Sequence, residues 1–259
     1  VFICDSLGFV LPQGGLRVLW DVGHCGGGGV VKYYRRSQYK EFGMSDFDQR
    51  RVMMVDTQIR PSDVTKFPII DAMLKTRREV FVPSDRVEAA YVDDVLDLGA
   101  GRCLLDARSF AQMLDALDLQ RDDVVLDIGC GLGYSSAILG HMVEAVVAIE
   151  HSDLAAEAQG LLAQENILNV AVLQNHLAQG APDQGPYDAI ILQGAIETLP
   201  DTIADQLAEG GRIVAIWRDG ALGQMKIGYK IDGTVTWRFV TNASAPILSG
   251  YDKAPGFQL

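Results

Sequence analysis

The stretch Val124-Val-Leu-Asp-Ile-Gly-Cys-Gly-Leu-Gly-Tyr-Ser-Ser136 decides the fold. It begins with an apolar run, residues 124–126, that predicts a strand buried on both faces. Glycines follow at positions 129, 131 and 133, where the lack of a Cβ permits a sharp turn and close approach of a ligand. A segment able to begin a helix comes next. Strand, glycine turn and helix together predict the first half of a nucleotide-binding βαβ unit.

An acidic residue stands where such a unit holds its ribose. A second apolar run, residues 145–149, predicts the next strand, and Glu150 follows it directly. That position is about twenty residues beyond the glycine turn, where a carboxylate can accept hydrogen bonds from both ribose hydroxyls. Glu150 is therefore a predicted cofactor-binding residue.

Two details favour S-adenosylmethionine over a dinucleotide. The glycines Gly129, Gly131 and Gly133 are spaced G-x-G-x-G, whereas the dinucleotide motif is G-x-G-x-x-G. Asp127 stands at the mouth of the turn, where its charge would repel a pyrophosphate and attract an ammonium and a sulfonium. The alternative is an ordinary strand–turn–helix whose glycines serve only packing. Asp127 and Glu150 together argue against it.

Other residues of the loop and of the strand ends complete the predicted cofactor site. His151, after Glu150, is a candidate contact of the adenosine and equally a solvated loop residue. The remaining loop candidates are Cys130, Tyr134 and Ser135, and Gln193 follows the predicted fourth strand.

Composition excludes several classes of protein. The chain has 259 residues, 48% of them hydrophobic, which is enough for one large domain or two small ones with a buried core. Its formal net charge of −12 argues against nucleic acid as the main partner. No apolar run approaches the length of about 20 residues that spans a membrane. The four cysteines are scattered without a C-x-x-C pair, so neither a disulfide framework nor a metal site is expected. These features predict a soluble cytoplasmic protein.

Three regions follow one another along the chain. Residues 1–43 show no lasting period and include a glycine run, and we expect them to be a non-native or disordered leader upstream of a start at Met44. Residues 44–120 predict a helical cap on the substrate side, with one apolar helical stripe at Phe110, Met113, Leu114 and Leu117. Most of this cap would be structural support. Residues 121–259 predict the cofactor-binding α/β domain.

The α/β domain is predicted as a doubly wound, mostly parallel Rossmann-like sheet with right-handed crossovers. Further strands are expected at 170–173, 188–192 and 212–217, with a helix that Pro200 begins and Gly210-Gly211 closes. Residues 224–231 and 234–240 alternate around Asp232-Gly233, which predicts an antiparallel hairpin. A parallel sheet closed by two antiparallel strands is the arrangement of S-adenosylmethionine-dependent methyltransferases.

From residue 44 to 240 the sequence resembles the protein-L-isoaspartate O-methyltransferases. The resemblance is carried by five segments: Arg77-Arg-Glu-Val-Phe-Val-Pro83, Ala90-Tyr-Val-Asp93, Val125-Leu-Asp-Ile-Gly-Cys-Gly-Leu-Gly-Tyr134, Pro186-Tyr-Asp-Ala-Ile-Ile191 and Gln206-Leu-Ala-Glu-Gly-Gly-Arg-Ile-Val214. It implies methyl transfer from S-adenosylmethionine to the α-carboxylate of isoaspartyl residues in damaged proteins. The ester then collapses to a succinimide, which achieves partial repair.

The implied chemistry needs no general base, because a carboxylate with a pKa of about 4 is ionised at neutral pH. The site must instead align the carboxylate oxygen with the methyl group and exclude water.

Two family motifs are altered here. The family has Thr-Ile-Ser-x-Pro before the helix that precedes the glycine-loop strand, and this chain has Cys103-Leu-Leu-Asp-Ala107. Leu105 occupies the position of the serine and cannot donate a hydrogen bond. Asp106 is the one candidate for a catalytic role, although its charge would repel a carboxylate substrate.

The second altered motif follows the third strand, where the family has Gly-Asp-Gly with an acid that contacts adenine. Here the segment is Asn175-His-Leu177, so His176 or Asn175 would take over that contact.

Other functions remain open at this point. A family member could methylate another acceptor or only bind the cofactor, and Leu105 favours that alternative. Amino-methylating enzymes that act on adenine or glutamine carry Asn/Asp-Pro-Pro-Tyr after the fourth strand, and Gln193-Gly-Ala-Ile196 does not match it. A nicotinamide-dependent oxidoreductase would leave Asp127 and the glycine spacing unexplained. A scaffold would not need an intact ligand loop.

Overall fold

A computed structural model describes residues 45–253 of the protein, apart from the side chains of residues 152 and 153. The leader predicted at 1–43 and its boundary at Met44 lie outside the described residues.

A seven-stranded sheet forms the centre of the described chain, in the spatial order β5-β4-β3-β6-β7-β8-β9. Strands β3 to β7 are parallel to one another, and β8 and β9 add to the β7 edge in antiparallel fashion. The predicted mostly parallel sheet with a C-terminal hairpin is confirmed. The strands are β3 (Val124–Ile128), β4 (Ala145–Glu150), β5 (Val170–Gln174), β6 (Tyr187–Ile196), β7 (Leu207–Asp219), β8 (Leu222–Ile231) and β9 (Thr234–Asn242).

Helices cover the sheet on both faces. This agrees with β3, whose side chains are buried on both sides of the sheet. Val125 packs into one apolar cluster and Leu126 into the other, because successive side chains of a strand point to opposite faces. The helices are α1 (Asp46–Met54), α2 (Phe67–Lys75), α3 (Ala107–Leu117), α4 (Tyr134–Gly140), α5 (Ser152–Gln164) and α6 (Asp201–Gln206).

The apolar stripe predicted in the N-terminal region is the buried face of α3. Phe110, Met113, Leu114 and Leu117 are all at most 1% exposed. Among residues 45–253, no helix is long and apolar enough to cross a bilayer.

The N-terminal region is not wholly helical, which corrects the sequence-based expectation. It contains a two-stranded antiparallel hairpin of β1 (Leu96–Gly99) and β2 (Arg102–Leu104). The turn between them, Gly99-Ala100-Gly101, has positive φ at all three residues. Strands of four and three residues are too short to show an alternating period, so the sequence pattern did not reveal them.

The predicted closure of a helix by Gly210-Gly211 is also wrong. Helix α6 ends at Gln206, and β7 begins at Leu207 and includes both glycines. The Lys230 ammonium donates hydrogen bonds to the carbonyls of Ala204 and Leu207, which satisfies the end of the helix without a glycine cap. The turn predicted at Asp232-Gly233 is confirmed, with positive φ at both residues.

Candidate active site

The candidate site lies at the carboxyl ends of β3, β4 and β6. Strand β3 has β4 on one side and β6 on the other, so the chain reverses its direction of travel across the sheet at β3. The gap at such a switch point, beyond the carboxyl ends of the strands, is where open α/β sheets bind ligands.

The glycine loop after β3 adopts conformations that favour glycine. Gly129, Gly131 and Gly133 have φ of +79°, +57° and +97°. A Cβ on Gly131 would lie 2.7 Å from Cδ1 of Leu98, so the β1–β2 hairpin packs directly on this loop. The glycines thus provide both the left-handed turn and the close contact.

Asp127 organises the start of the helix that follows the loop. Its fully buried carboxylate accepts hydrogen bonds from the hydroxyls of Ser135 and Ser136, both at 2.6 Å, and from Nε2 of Gln193 at 2.8 Å. Burial raises the pKa of this carboxyl, and the three donors oppose the shift. Three predicted residues meet here: Asp127, Ser135 and Gln193. Ser136 was missed, although its place in the first turn of a helix after the loop was a usable signal.

Glu150 is fully buried at the end of β4 and joins the loop to the hairpin. Its Oε2 accepts a hydrogen bond from the Gly131 backbone N–H at 2.8 Å. Its Oε1 accepts from Nε of Arg102 at 2.8 Å and from the His151 backbone N–H at 2.7 Å. Arg102 was not predicted to belong to the site, and a lone arginine beside the apolar run 103–105 was the only signal for it.

The number of free hydrogen-bond acceptor positions on Glu150 decides whether this carboxylate can bind the hydroxyls of a ribose. A carboxylate offers about four lone-pair positions, and three are in use. One ribose hydroxyl can therefore bind Oε2 of Glu150 directly. Binding of both hydroxyls, one to each oxygen, requires either Arg102 or the His151 backbone N–H to release Oε1.

A small cavity of about 10 Å³ lies beside the loop. Tyr134 lines it, and the hydroxyl of this residue is buried without a hydrogen-bond partner among residues 45–253. Nη1 of Arg78 is also buried without a partner there, and the Arg78 guanidinium lies against the Tyr134 ring with Cζ 4.8 Å from the ring centroid, so a small shift would let the two groups pair. The other lining residues of the cavity are Cys103, Leu104, Leu105, Phe110, Cys130, Ser135 and Gln193.

The segment that replaces the family's serine motif borders the same cavity. Leu105 is buried, and its carbonyl accepts a hydrogen bond from Nη2 of Arg78 at 2.7 Å. Asp106 caps α3, because its Oδ1 accepts from the backbone N–H of Ser109 at 2.8 Å. The contact seen for the predicted catalytic candidate is therefore a structural one.

Two histidines meet at the ends of β4 and β5. The rings of His151 and His176 lie edge to face with their centroids 5.2 Å apart. Asn175, which precedes His176, accepts from the His176 backbone N–H with Oδ1 and donates Nδ2 to the Gly180 carbonyl, both at 2.8 Å. These predicted adenine contacts thus form a group next to Glu150, whose carbonyl accepts from the Asn175 N–H at 3.1 Å.

A second, larger cavity of about 1040 Å³ opens beside the small one, at the ends of β6 and β7 and the start of α3. Asp106 and Ala195 line it, and Leu105 and Gln193 line the small cavity. Because Leu105 and Asp106 are adjacent in the chain and Gln193 and Ala195 are two residues apart, the two cavities lie close to each other.

Comparison with known proteins agrees with this architecture. The family described as protein-L-isoaspartate(D-aspartate) O-methyltransferase (PCMT) matches residues 49–240. A protein-L-isoaspartate O-methyltransferase of Synechococcus sp. is 39% identical over 169 residues, 65% of this chain and 69% of that protein. One of Roseiflexus castenholzii is 39% identical over 170 residues, 65% of this chain and 78% of that protein.

A solved structure shares the fold. A Plasmodium falciparum protein described as a beta-aspartate methyltransferase (PCMT), in complex with S-adenosyl-L-homocysteine, matches with a TM-score of 0.67 and 16% identity. The match covers 80% of this chain and 99% of that one. The matched family region contains the glycine loop, Glu150 and the serine-motif segment, and it spans well over half of the sequence. The chain belongs to the protein-L-isoaspartate(D-aspartate) O-methyltransferase family.

Proposed function

We propose that the protein transfers the methyl group of S-adenosylmethionine to the α-carboxylate of isoaspartyl residues in damaged proteins, as a step of repair. The observation that carries the proposal is the buried Glu150 carboxylate, bonded to Gly131 of the glycine loop at the carboxyl end of β4. This places a ribose acceptor beside a loop that a ligand can approach closely. Family membership supports the same activity.

The cofactor would extend along the strand ends in three parts. Glu150 would bind the ribose, and the group of His151, Asn175 and His176 would face the adenine. The methionine end would lie along the loop toward the small cavity, which Tyr134 lines. The residues proposed to surround that end are Asp127, Gly129, Cys130, Gly131, Gly133, Ser135 and Gln193.

Asp127 would act through the protein as well as by its charge. Because its oxygens already accept three side-chain hydrogen bonds, it fixes the position of the α4 start and of Gln193 on β6. Because the loop is already ordered by these hydrogen bonds, binding of the methionine end would not cost the entropy of ordering the loop.

The transfer itself asks for alignment and for a dry site. S-adenosylmethionine, when bound, supplies an electrophilic methyl group. An ionised acceptor carboxylate needs no base, so Asp106 is not required for proton transfer. Leu105 and Phe110 contribute apolar side chains to the lining of the small cavity, which would help to exclude water from the reacting atoms.

The region from 44 to 120 would serve the acceptor and the region from 121 to 259 the cofactor. The larger cavity supports this division. It is lined by Asp106, the N-cap of α3, and by Arg108 of α3, together with residues of β6 and β7. We place the activity in the cytoplasm, since the two described cysteines, Cys103 and Cys130, are free thiols suited to a reducing compartment.

A pair of peptides tests the proposal. Two peptides of one sequence, with isoaspartate or with aspartate at one position, are incubated with labelled S-adenosylmethionine. We expect a base-labile methyl ester on the isoaspartyl peptide alone. Absence of transfer to the isoaspartyl peptide by a protein that binds S-adenosylhomocysteine would refute the acceptor and leave the cofactor assignment standing.

A second function, methylation of another acceptor, is favoured by one observation. Leu105 stands buried in the place of the family's serine, so no hydroxyl is available there. Under this alternative the wild-type protein leaves the isoaspartyl peptide untouched, and Leu105→Ser creates transfer to it. Leu105→Ala, which removes the same bulk without adding a hydroxyl, is the matched control.

A further inference from the structure

We infer that Arg78 is a positioning residue for the methyl donor, whose buried guanidinium attracts the carboxylate at the methionine end of S-adenosylmethionine. The inference rests on the proposed function and deepens it, because it names a charge that orients the cofactor along the glycine loop.

Arg78 is a buried cation without a counterion. It is 1% exposed, and within residues 45–253 it forms no salt bridge. Its Nε donates to the Ala90 carbonyl at 2.6 Å and its Nη2 to the Leu105 carbonyl at 2.7 Å. A small shift would let Nη1 donate to the Tyr134 hydroxyl, but none of these acceptors carries a charge. The positive charge therefore stays uncompensated, whereas buried charges are normally paired.

The surroundings of Arg78 confirm that its charge is an exception. The other two buried arginines of the described chain, Arg51 and Arg102, each form a salt bridge with a carboxylate. The acid that follows Arg78 in the sequence, Glu79, is partly exposed and accepts a hydrogen bond from the Tyr91 hydroxyl. Glu79 thus directs its carboxylate to another partner.

Asp127 is a buried anion in the same situation. It is fully buried, and its hydrogen-bond donors are all neutral, namely the hydroxyls of Ser135 and Ser136 and the amide of Gln193. In the part of the chain that the structure describes, no cation forms a salt bridge with it. Both of its oxygens accept hydrogen bonds, which fits the ionised carboxylate. The candidate site therefore contains one uncompensated buried charge of each sign.

Both charges lie next to residues that line the small cavity. Ser135 lines it and donates to Asp127 at 2.6 Å. Tyr134, the preceding residue, also lines it, and the ring centroid of Tyr134 is 4.8 Å from Cζ of Arg78. Leu105, a third lining residue, accepts the hydrogen bond from Nη2 of Arg78. A ligand atom in the cavity is thus separated from each charge by a single residue.

The methionine end of S-adenosylmethionine matches these two charges, because one carbon carries both an ammonium and a carboxylate. The ammonium would face Asp127 and the carboxylate would face Arg78. The acceptor is the other ligand of the proposed reaction with a carboxylate, but the α-nitrogen of an isoaspartyl residue inside a peptide is an uncharged amide. The pair of opposite charges therefore favours the cofactor.

Attraction to Arg78 does not require direct contact. The cavity of about 10 Å³ has room for little more than one small polar group, so only the end of the ligand would enter it. At an effective dielectric constant of about 20–30, a separation of about 8 Å between opposite unit charges corresponds to about a tenfold change in affinity. The guanidinium would therefore act through Leu105 and Tyr134.

Calorimetric titration with two ligands tests the inference. One is S-adenosylhomocysteine, and the other is its decarboxylated analogue, which lacks only the carboxylate. We expect the wild type to prefer S-adenosylhomocysteine by at least about tenfold, Arg78→Gln to lose most of that preference, and Arg78→Lys, which keeps the charge, to retain it within about threefold. Arg121→Gln, which changes an exposed arginine before β3, is the control and keeps the preference.

The ratio of the two affinities distinguishes a charge effect from a structural one. Both substitutions of Arg78 disturb its hydrogen bonds to the Ala90 and Leu105 carbonyls, so a purely structural role would weaken both ligands alike in both variants. Thermal unfolding without ligand verifies that each variant is folded. Equal affinity of the wild type for the two ligands would overturn the inference without any variant.

Other outcomes separate the inference from the proposed function. An unchanged preference in folded Arg78→Gln, with a raised KM for the isoaspartyl peptide, would assign the charge to the acceptor and overturn the inference. The expected preferences without methylation of the isoaspartyl peptide would support the inference and refute the proposed acceptor. Absence of binding of either ligand by the wild type would refute the cofactor assignment and the inference with it.

Discussion

At the scale of single residues, the main feature of the candidate site is the buried salt bridge between Arg102 and Glu150. Arg102 is 3% exposed and Glu150 0% exposed at their side chains, with Nε and Oε1 2.8 Å apart. Each charge depends on the other, because removing one partner leaves an unpaired charge buried in the protein. The pair also holds β2 against the end of β4.

Arg102→Met should destabilise the protein by about 3–5 kcal/mol, since Glu150 then loses its counterion. The measurement is the midpoint and slope of urea unfolding. Arg121→Met, which removes an exposed arginine, should change stability by less than about 0.5 kcal/mol. A loss for Arg102→Met as small as that of the control would mean that the ion pair does not hold the hairpin in place.

Cys103 gives a prediction about pH. Burial raises the pKa of its thiol to about 11, against about 8.5 for a free cysteine. The reactive thiolate is therefore scarce in the folded protein at pH 8 and becomes abundant only as the pH approaches 11. Alkylation of the Cys103 peptide, followed by mass spectrometry, should be at least about tenfold slower in native than in urea-unfolded protein at pH 8. Equal rates would contradict the burial of this side chain.

At the scale of elements, the site is a glycine loop covered by a short hairpin. Leu98 of β1 occupies the space that a Cβ on Gly131 would need, and Arg102 of β2 pairs with Glu150. The loop, the hairpin and β4 therefore fit together only while position 131 has no side chain.

Gly131→Ala should weaken binding of S-adenosylhomocysteine by about tenfold or more and cost about 1–3 kcal/mol of stability. The residue has φ of +57°, and its new methyl group would lie 2.7 Å from Leu98. Gly160→Ala is the control, because Gly160 is an exposed helical residue of α5 with open space around it. That variant should gain about 0.5–1 kcal/mol and keep its affinity. Undiminished affinity in Gly131→Ala would contradict the role of the loop.

The sequence predicts those elements that have a long hydrophobic period or that are bounded by glycine turns. The three glycines predicted the turn after β3. Four apolar residues at helical spacing predicted the buried face of α3, and Asp232-Gly233 predicted the hairpin turn. Strands β1 and β2 were missed because seven residues cannot establish a period. The start of β7 was misplaced because Lys230, distant in sequence, terminates α6.

At the scale of the whole molecule, the parallel order of strands brings distant residues to one edge. Arg102 and Glu150 are 48 positions apart in the sequence, and Asp127 and Gln193 are 66 apart. The strand pattern predicted that Asp127, Glu150 and Gln193 lie at carboxyl ends, but not which of them share hydrogen bonds. The large cavity depends on how α3 packs against β7 and β8, which a single sequence does not encode in any local pattern.

The central claim is that this edge of the sheet binds S-adenosylmethionine through Glu150, and calorimetric titration with S-adenosylhomocysteine tests it most directly. We predict one site per chain in the wild type, an affinity lower by about tenfold or more in Glu150→Gln, and no change in Glu157→Gln, an exposed residue of α5. Thermal unfolding of each variant without ligand verifies that it is folded. Absence of binding by the folded wild type, or equal affinity in Glu150→Gln, would contradict the account.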